Sequence, residues 1–184
     1  GGEVKRIPLA DGLKGRLVRS LTSAIFMSQR ISGLVDLERI KGAGLKVVVD
    51  SMYGAGAGYF KAILTGGTTE LVEINGERNP LFPGIQPEPI AQNLTRLSAM
   101  VTEEGASVGL ATDGDADRIG VVDERGEFVN PLQLFALLAL YLLEVRGERG
   151  PIVKTVTTTS MLYRLGELFN VPVYETPIGF KYVA

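Results

Sequence analysis

The sequence contains no histidine and no cysteine. Without histidine, the chain has neither the commonest general base nor the commonest metal-binding nitrogen, so His-containing triads and His-ligated zinc are excluded from its own side chains. Without cysteine, there is no disulfide framework and no thiolate chemistry. An excess of one charge is missing too. The 19 basic and 21 acidic residues leave a net charge of −2, so nothing in the composition suggests a nucleic-acid or anionic-membrane partner. Long hydrophobic runs are also lacking. The most apolar stretch, Leu132–Val145, is interrupted by Gln133 and Glu144 and falls short of the roughly 20 residues that a bilayer span needs. It reads as a buried amphipathic helix. No leader pattern opens the chain, and a cytoplasmic protein is the expectation. There is no readable repeat and no low-complexity tract.

What remains is an ordinary globular composition, 45% hydrophobic and 22% charged over 184 residues, enough for one large or two small domains. Residues 3–9 read as extended and pairing with a sheet edge. Asp11 could cap a helix, with a mixed amphipathic stretch from Lys14 to Met27 and a second helix from Ser28 to Ile40. Leu45-Lys46-Val47-Val48-Val49-Asp50 is the clearest strand; its three valines suggest burial on both faces. The glycine-rich turn Ser51–Gly58 follows, then a helix over Tyr59–Thr65. A dinucleotide fingerprint would need its third glycine where Tyr59 stands, so the turn reads chiefly as tight turning and close packing, with anion binding as the alternative.

Thr69–Asn75 reads as a strand and Gly76–Pro89 as a proline-stiffened loop. A helix over Pro89–Glu104 is expected, with Ile90, Leu94, Leu97, Met100 and Val101 on one face. Strands follow over Ser107–Thr112 and Ile119–Asp123. Phe128-Val129-Asn130 leads into a helix over 131–146, and Gly147–Gly150 is a charged turn. A strand starts at Pro151–Lys154, a helix capped by hydroxyl residues spans Ser160–Phe169, Val171–Tyr174 is another strand, and Thr176–Tyr182 is a loop. The alternation argues α/β: a mixed sheet flanked by helices, plus an incomplete second α/β domain.

The chemistry concentrates in Asp113-Gly114-Asp115-Ala116-Asp117-Arg118. Small spacers let side chains at alternate positions converge, and three converging carboxylates repel one another. A hard divalent cation removes that repulsion, and oxygen-only ligands suit magnesium or calcium. Three readings compete. One is a solvated acidic turn. Another is an EF-hand, which Asp113, Asp115, Asp117 and Glu124 would fit, but Arg118 stands where it needs glycine and the flanks read as strands. The third is a catalytic magnesium loop whose arginine handles phosphate oxygens.

These stretches carry a resemblance. The loop DGDADR after an apolar strand, the turn DSMYGAG after LKVVVD, and the loop TPIGFKY occur in the order seen in the α-D-phosphohexomutases, the bacterial and archaeal phosphoglucomutases and phosphomannomutases. The resemblance implies a four-domain enzyme that interconverts hexose 1-phosphate and 6-phosphate through a phosphoserine and a bisphosphorylated sugar. It implies Mg2+ held by Asp113, Asp115 and Asp117, with Arg118 steadying the phosphoserine or phosphosugar. It implies a sugar-recognition loop at Gly179, Phe180 and Lys181, and a substrate lysine at Lys154; solvated lysines are the plainer alternative at 154 and 181. Residues 1–127 would be the second domain and 128–184 the N-terminal part of the third.

The family's Thr-Ala-Ser-His-Asn-Pro run, its Glu-Glu-Ser-Gly run and its fourth-domain phosphate loop have no counterpart here. The resemblance therefore implies a piece of the enzyme, inactive alone. A truncated third domain should leave an unpaired sheet edge or an exposed apolar helix face, so helix 131–146 is expected to pack on the second domain or against another copy. GFKY leans weakly away from glucosamine phosphate. A stand-alone divalent-metal module and a nucleotide-binding α/β domain are the other functional readings.

Overall fold

The computed structural model describes residues 6–19 and 30–183. Five strands form a mixed sheet in the order β2-β1-β3-β4-β5: β1 (Lys46–Asp50), β2 (Glu70–Ile74), β3 (Val108–Thr112), β4 (Ile119–Val122) and β5 (Phe128–Val129). β1 pairs in parallel with β2 and β3, while β3–β4 and β4–β5 are antiparallel. β1 is therefore an interior strand, and Val47, Val48 and Val49 are all buried, as a valine run covered on both faces should be.

The principal core lies on one face of this sheet. There α4 (Thr95–Glu104) buries Leu97 and Val101 beside Leu94, against Val48, Ala111 and Val122. The i, i+3, i+7 spacing of Leu94, Leu97 and Val101 makes that face continuous. The short helix α3 (Tyr59–Leu64) connects β1 to β2.

Several boundaries depart from the sequence expectation. The helix expected from Pro89 starts at Thr95. Residues Ala91–Asn93 form a single 3-10 turn instead, and Asn93 donates its side-chain amide to the Glu88 carbonyl at 2.9 Å. That local bond competes with helix geometry. Of the extended stretch expected over 3–9, residues 3–5 lie outside the described residues and residues 6–8 form no strand; Leu9 opens helix α1 (Leu9–Lys14), whose cap is Pro8 and whose first turn contains Asp11. Of the expected Lys14–Met27 helix, α1 ends at Lys14, and residues 20–29 lie outside the described residues. The expected Ser28–Ile40 helix is broken. Residues 30–32 are helical, and a turn then leads to Asp36, which caps α2 (Leu37–Lys41) by accepting from the Arg39 amide at 3.0 Å. Asp36 makes a better cap than an interior residue, because its oxygen satisfies a backbone donor that the helix start leaves free.

Phe128–Val129 does more than lead into a helix. It is β5, paired with Val122 and Val121, and Phe128 packs on the core. Beyond it, Asn130 accepts from the Leu132 amide at 2.9 Å and caps α5 (Pro131–Leu140), which continues as one π-helical segment over Tyr141–Val145. α5 packs on β4 and on α6 (Met161–Phe169). A second, two-stranded parallel sheet joins β6 (Ile152–Thr155) to β7 (Val173–Thr176). Ser160 holds the cap position of α6 without a side-chain cap bond, and the Thr159 hydroxyl accepts from the Met161 amide at 3.1 Å. No described helix is long and apolar enough to cross a membrane.

Candidate metal centre

The order β2-β1-β3 places the C-terminal ends of β1 and β3 side by side where the chain switches direction across the sheet, the usual ligand crevice of an open α/β fold. Two loops leave that edge: the glycine-rich turn after β1 and the acidic loop 113–118 between β3 and β4. They interlock. The Ala55 amide donates to the Gly114 carbonyl at 3.0 Å, and the Gly114 amide to the Pro87 carbonyl at 3.2 Å. A Cβ on Gly54 would sit 2.7 Å from the Gly114 carbonyl oxygen and 2.8 Å from that of Asp113, so residue 54 has to be glycine for the loops to touch. Gly58 gives its amide to Glu73 Oε1 at 2.8 Å, which removes one donor that an anion at this turn would need. Tight packing explains the turn.

Within the acidic loop, Asp113 is fully buried and organises the rest. Its Oδ1 accepts from the amides of Asp117 and Arg118 at 2.9 and 3.0 Å, and its Oδ2 from Arg118 Nε at 2.7 Å. Ala116 takes a left-handed conformation (φ 63°) to complete the curl. The result is that one carboxylate oxygen from each of Asp113, Asp115 and Asp117 lies within 4.8 Å of the other two, with Asp115 and Asp117 at the surface. A solvated turn would not bury its first aspartate, and the strands on both sides remove the EF-hand reading.

The electrostatics bear the mark of crowding. The Asp113 contact, followed by the charges of Asp115 and Asp113, raises the Asp117 carboxyl above the usual range. Burial pushes Asp113 up, but the backbone and guanidinium of Arg118, together with Asp117, hold it below. Arg118 also reaches Glu88 Oε1 at 3.0 Å through Nη1, and its Nη2 makes no hydrogen bond among the described residues. The donor set suits a hard cation. Oδ1 of Asp113 already accepts two bonds, so only Oδ2 of Asp113 retains a lone pair, while Asp115 and Asp117 are open to solvent.

The other anticipated residues lie elsewhere. Lys154 on β6 is not a solvated strand-end lysine: it is 3% exposed and ion-paired with Glu175. Gly179 (φ 136°), Phe180 and Lys181 form a surface turn in which Phe180 is 86% exposed and Lys181 Nζ lies 4.9 Å from the Tyr182 ring. No hydrogen bond or ion pair among the described residues joins Lys154 or Lys181 to the aspartates. Three partners were not foreseen: Glu88 for Arg118, and Glu175 and Tyr163 for Lys154. Loop packing brings in Glu88, strand register Glu175, and helix α6 Tyr163.

Two family descriptions match. Residues 25–126 match the phosphoglucomutase/phosphomannomutase alpha/beta/alpha domain II, and residues 130–184 match domain III of the same group. A probable phosphoglucosamine mutase of Methanosarcina barkeri is 37% identical over 79% of this chain and 32% of its own length. A phosphoglucomutase/phosphomannomutase of Thermococcus kodakarensis is 35% identical over 85% of this chain and 34% of its own. The solved structure of a provisionally named phosphomannomutase from Thermus thermophilus superposes with a TM-score of 0.80 at 40% identity, over 88% of this chain and 37% of the other. The chain thus spans about a third of the length of the curated relatives it matches. Their names include both glucosamine and glucose/mannose types, so they do not support the lean away from glucosamine.

Proposed function

The chain belongs to the phosphoglucomutase/phosphomannomutase family, and from that premise we propose that it is the metal-loop portion of a cytoplasmic phosphohexomutase. The whole enzyme would shift a phosphoryl group between C1 and C6 of a hexose through a phosphoserine and a bisphosphorylated sugar. The observation that carries this reading is the cluster of three carboxylate oxygens within 4.8 Å of one another at the crevice of the sheet.

Asp113, Asp115 and Asp117 would hold Mg2+, which, when bound, draws charge from a transferring phosphoryl group. Asp113 fixes the loop through three hydrogen bonds and presents one remaining lone pair. Arg118 is anchored by Asp113 and Glu88 through Nε and Nη1; its free Nη2 offers donors to a phosphate oxygen, in the planar geometry that suits such groups. Gly179, Phe180 and Lys181 would meet the sugar, and Lys154 a phosphate. The phosphoserine run has no counterpart here, so the chain by itself should not turn over.

Calorimetry with Mg2+ tests the metal role. Three carboxylates lacking a serine phosphate should bind at millimolar strength, and Asp115→Asn should abolish the heat. Micromolar affinity would favour the second reading, a self-contained metal module, for which the loop pre-shaped by Asp113 is the supporting observation. Sustained conversion of glucose 1-phosphate by this chain, with a bisphosphate activator and Mg2+, would overturn the proposed inactivity.

A further inference from the structure

Lys154 raises a problem for any ligand role: its ammonium is inside the protein. The side chain is 2% exposed, whereas that of its partner Glu175 is 39% exposed. The β6–β7 register sets Lys154 beside Glu175, so both side chains lie on one face of the two-stranded sheet. The Lys154 ammonium is ion-paired with Glu175 Oε2, donates to the Thr155 carbonyl at 3.3 Å and lies 5.0 Å from the Tyr163 ring centroid. The Tyr163 hydroxyl donates to that same Glu175 oxygen at 2.9 Å. Lys154 and Tyr163 hold the Glu175 carboxyl below its usual range, and Glu175 raises the Tyr163 hydroxyl. The trio is thus a charged pair with an oriented hydroxyl.

A buried ammonium needs an anion, and losing its partner leaves an uncompensated charge. Glu175 is the anion it has, and it sits on the solvent side. An external phosphate can reach Lys154 only by taking that position, and a phosphate brings the charge and acceptor oxygens to do so. We infer that Glu175, oriented by Tyr163, is a positioning residue for Lys154: it stands in for a ligand phosphate and is displaced from the ammonium when that phosphate binds. The inference rests on the proposed phosphosugar reading, but it concerns a contact internal to this chain.

The test follows lysine side-chain and tyrosine ring NMR signals of this chain during titration with glucose 1-phosphate. The Lys154 and Tyr163 signals should move together. Tyr163→Phe keeps every charge yet frees the carboxylate, and it should bind several-fold tighter. Glu175→Gln should bind tighter still, while Glu103→Gln, a charge-matched change on the exposed face of α4, should bind as the unaltered chain does. Three results would overturn the inference. If Lys154 moves but the Tyr163 and Glu175 variants bind no tighter, displacement is wrong and the phosphosugar reading stands. If only Lys181 moves, Lys154 is not a phosphate ligand. If no lysine signal moves at high ligand, the phosphosugar reading fails with it. Should Glu175→Gln not fold, Tyr163→Phe decides the matter alone.

Discussion

Asp50 sits at the end of β1, 2% exposed, and its Oδ1 accepts from both the Asn75 amide and the Met52 backbone at 2.9 Å. Burial nevertheless holds its carboxyl above the usual range, against the pull of Asn75, Met52 and Arg96. The folded chain therefore binds this proton more tightly than the unfolded chain does. That contribution is complete below the ordinary aspartate range and is lost as pH rises through the raised value. Asp50→Asn keeps an acceptor oxygen without the charge, so its melting temperature should exceed the wild type's at neutral pH, and the advantage should vanish in acid. Gly54 is the second sensitive residue. Gly54→Ala drives a methyl into the carbonyls of Asp113 and Gly114 and should destabilise by about 1–3 kcal/mol; calorimetric unfolding gives that value, and Mg2+ affinity should fall with it. At this scale the sequence was informative about chemistry. Alternate aspartates separated by Gly114 and Ala116 can only converge or splay, and they converge. It said nothing of Glu88 or Glu175, because a partner 30 positions from Arg118 or 21 from Lys154 leaves no local trace.

Elements were legible where periodicity is long and misread where a local side-chain bond intervenes. The apolar face of α4 was visible as a repeat, but its start was not, since Pro89 imitates a helix opening while Asn93 binds back to Glu88. β5 is too short to show alternation and exists through its pairing with β4. Asp36 falls inside the expected Ser28–Ile40 helix, and its capping bond to the Arg39 amide breaks that helix instead. Because α4 supplies much of the core against β1, β3 and β4, Leu97→Ala, at a fully buried site, should cost about 2–5 kcal/mol. Denaturant unfolding should show a lower midpoint with an unchanged slope.

Across the whole molecule, apolar surface is unevenly distributed. α5 and its π-helical extension leave Leu137, Leu138 and Val145 more than half exposed, at 51%, 55% and 58%, although the helix also packs on β4 and α6. Contiguous exposed apolar area of this kind seeks a partner. The chain should self-associate as its concentration rises, and Leu138→Glu should return it towards the monomer mass in light scattering. An unchanged mass distribution in the variant would place the contact elsewhere.

The interlock of the turn after β1, the proline-stiffened segment around Pro87 and the loop 113–118 has a thermodynamic corollary. All three carboxylates come from residues 113–117, but their arrangement is braced by the turn after β1 and by Pro87, so an unfolded chain carries the ligands without the shape that binds. Occupancy then acts only on the native ensemble, in proportion to the logarithm of cation concentration over its dissociation constant. A small ion would act as a rivet for the five-stranded half, and loosening any one of the three stretches would weaken its hold on the other two.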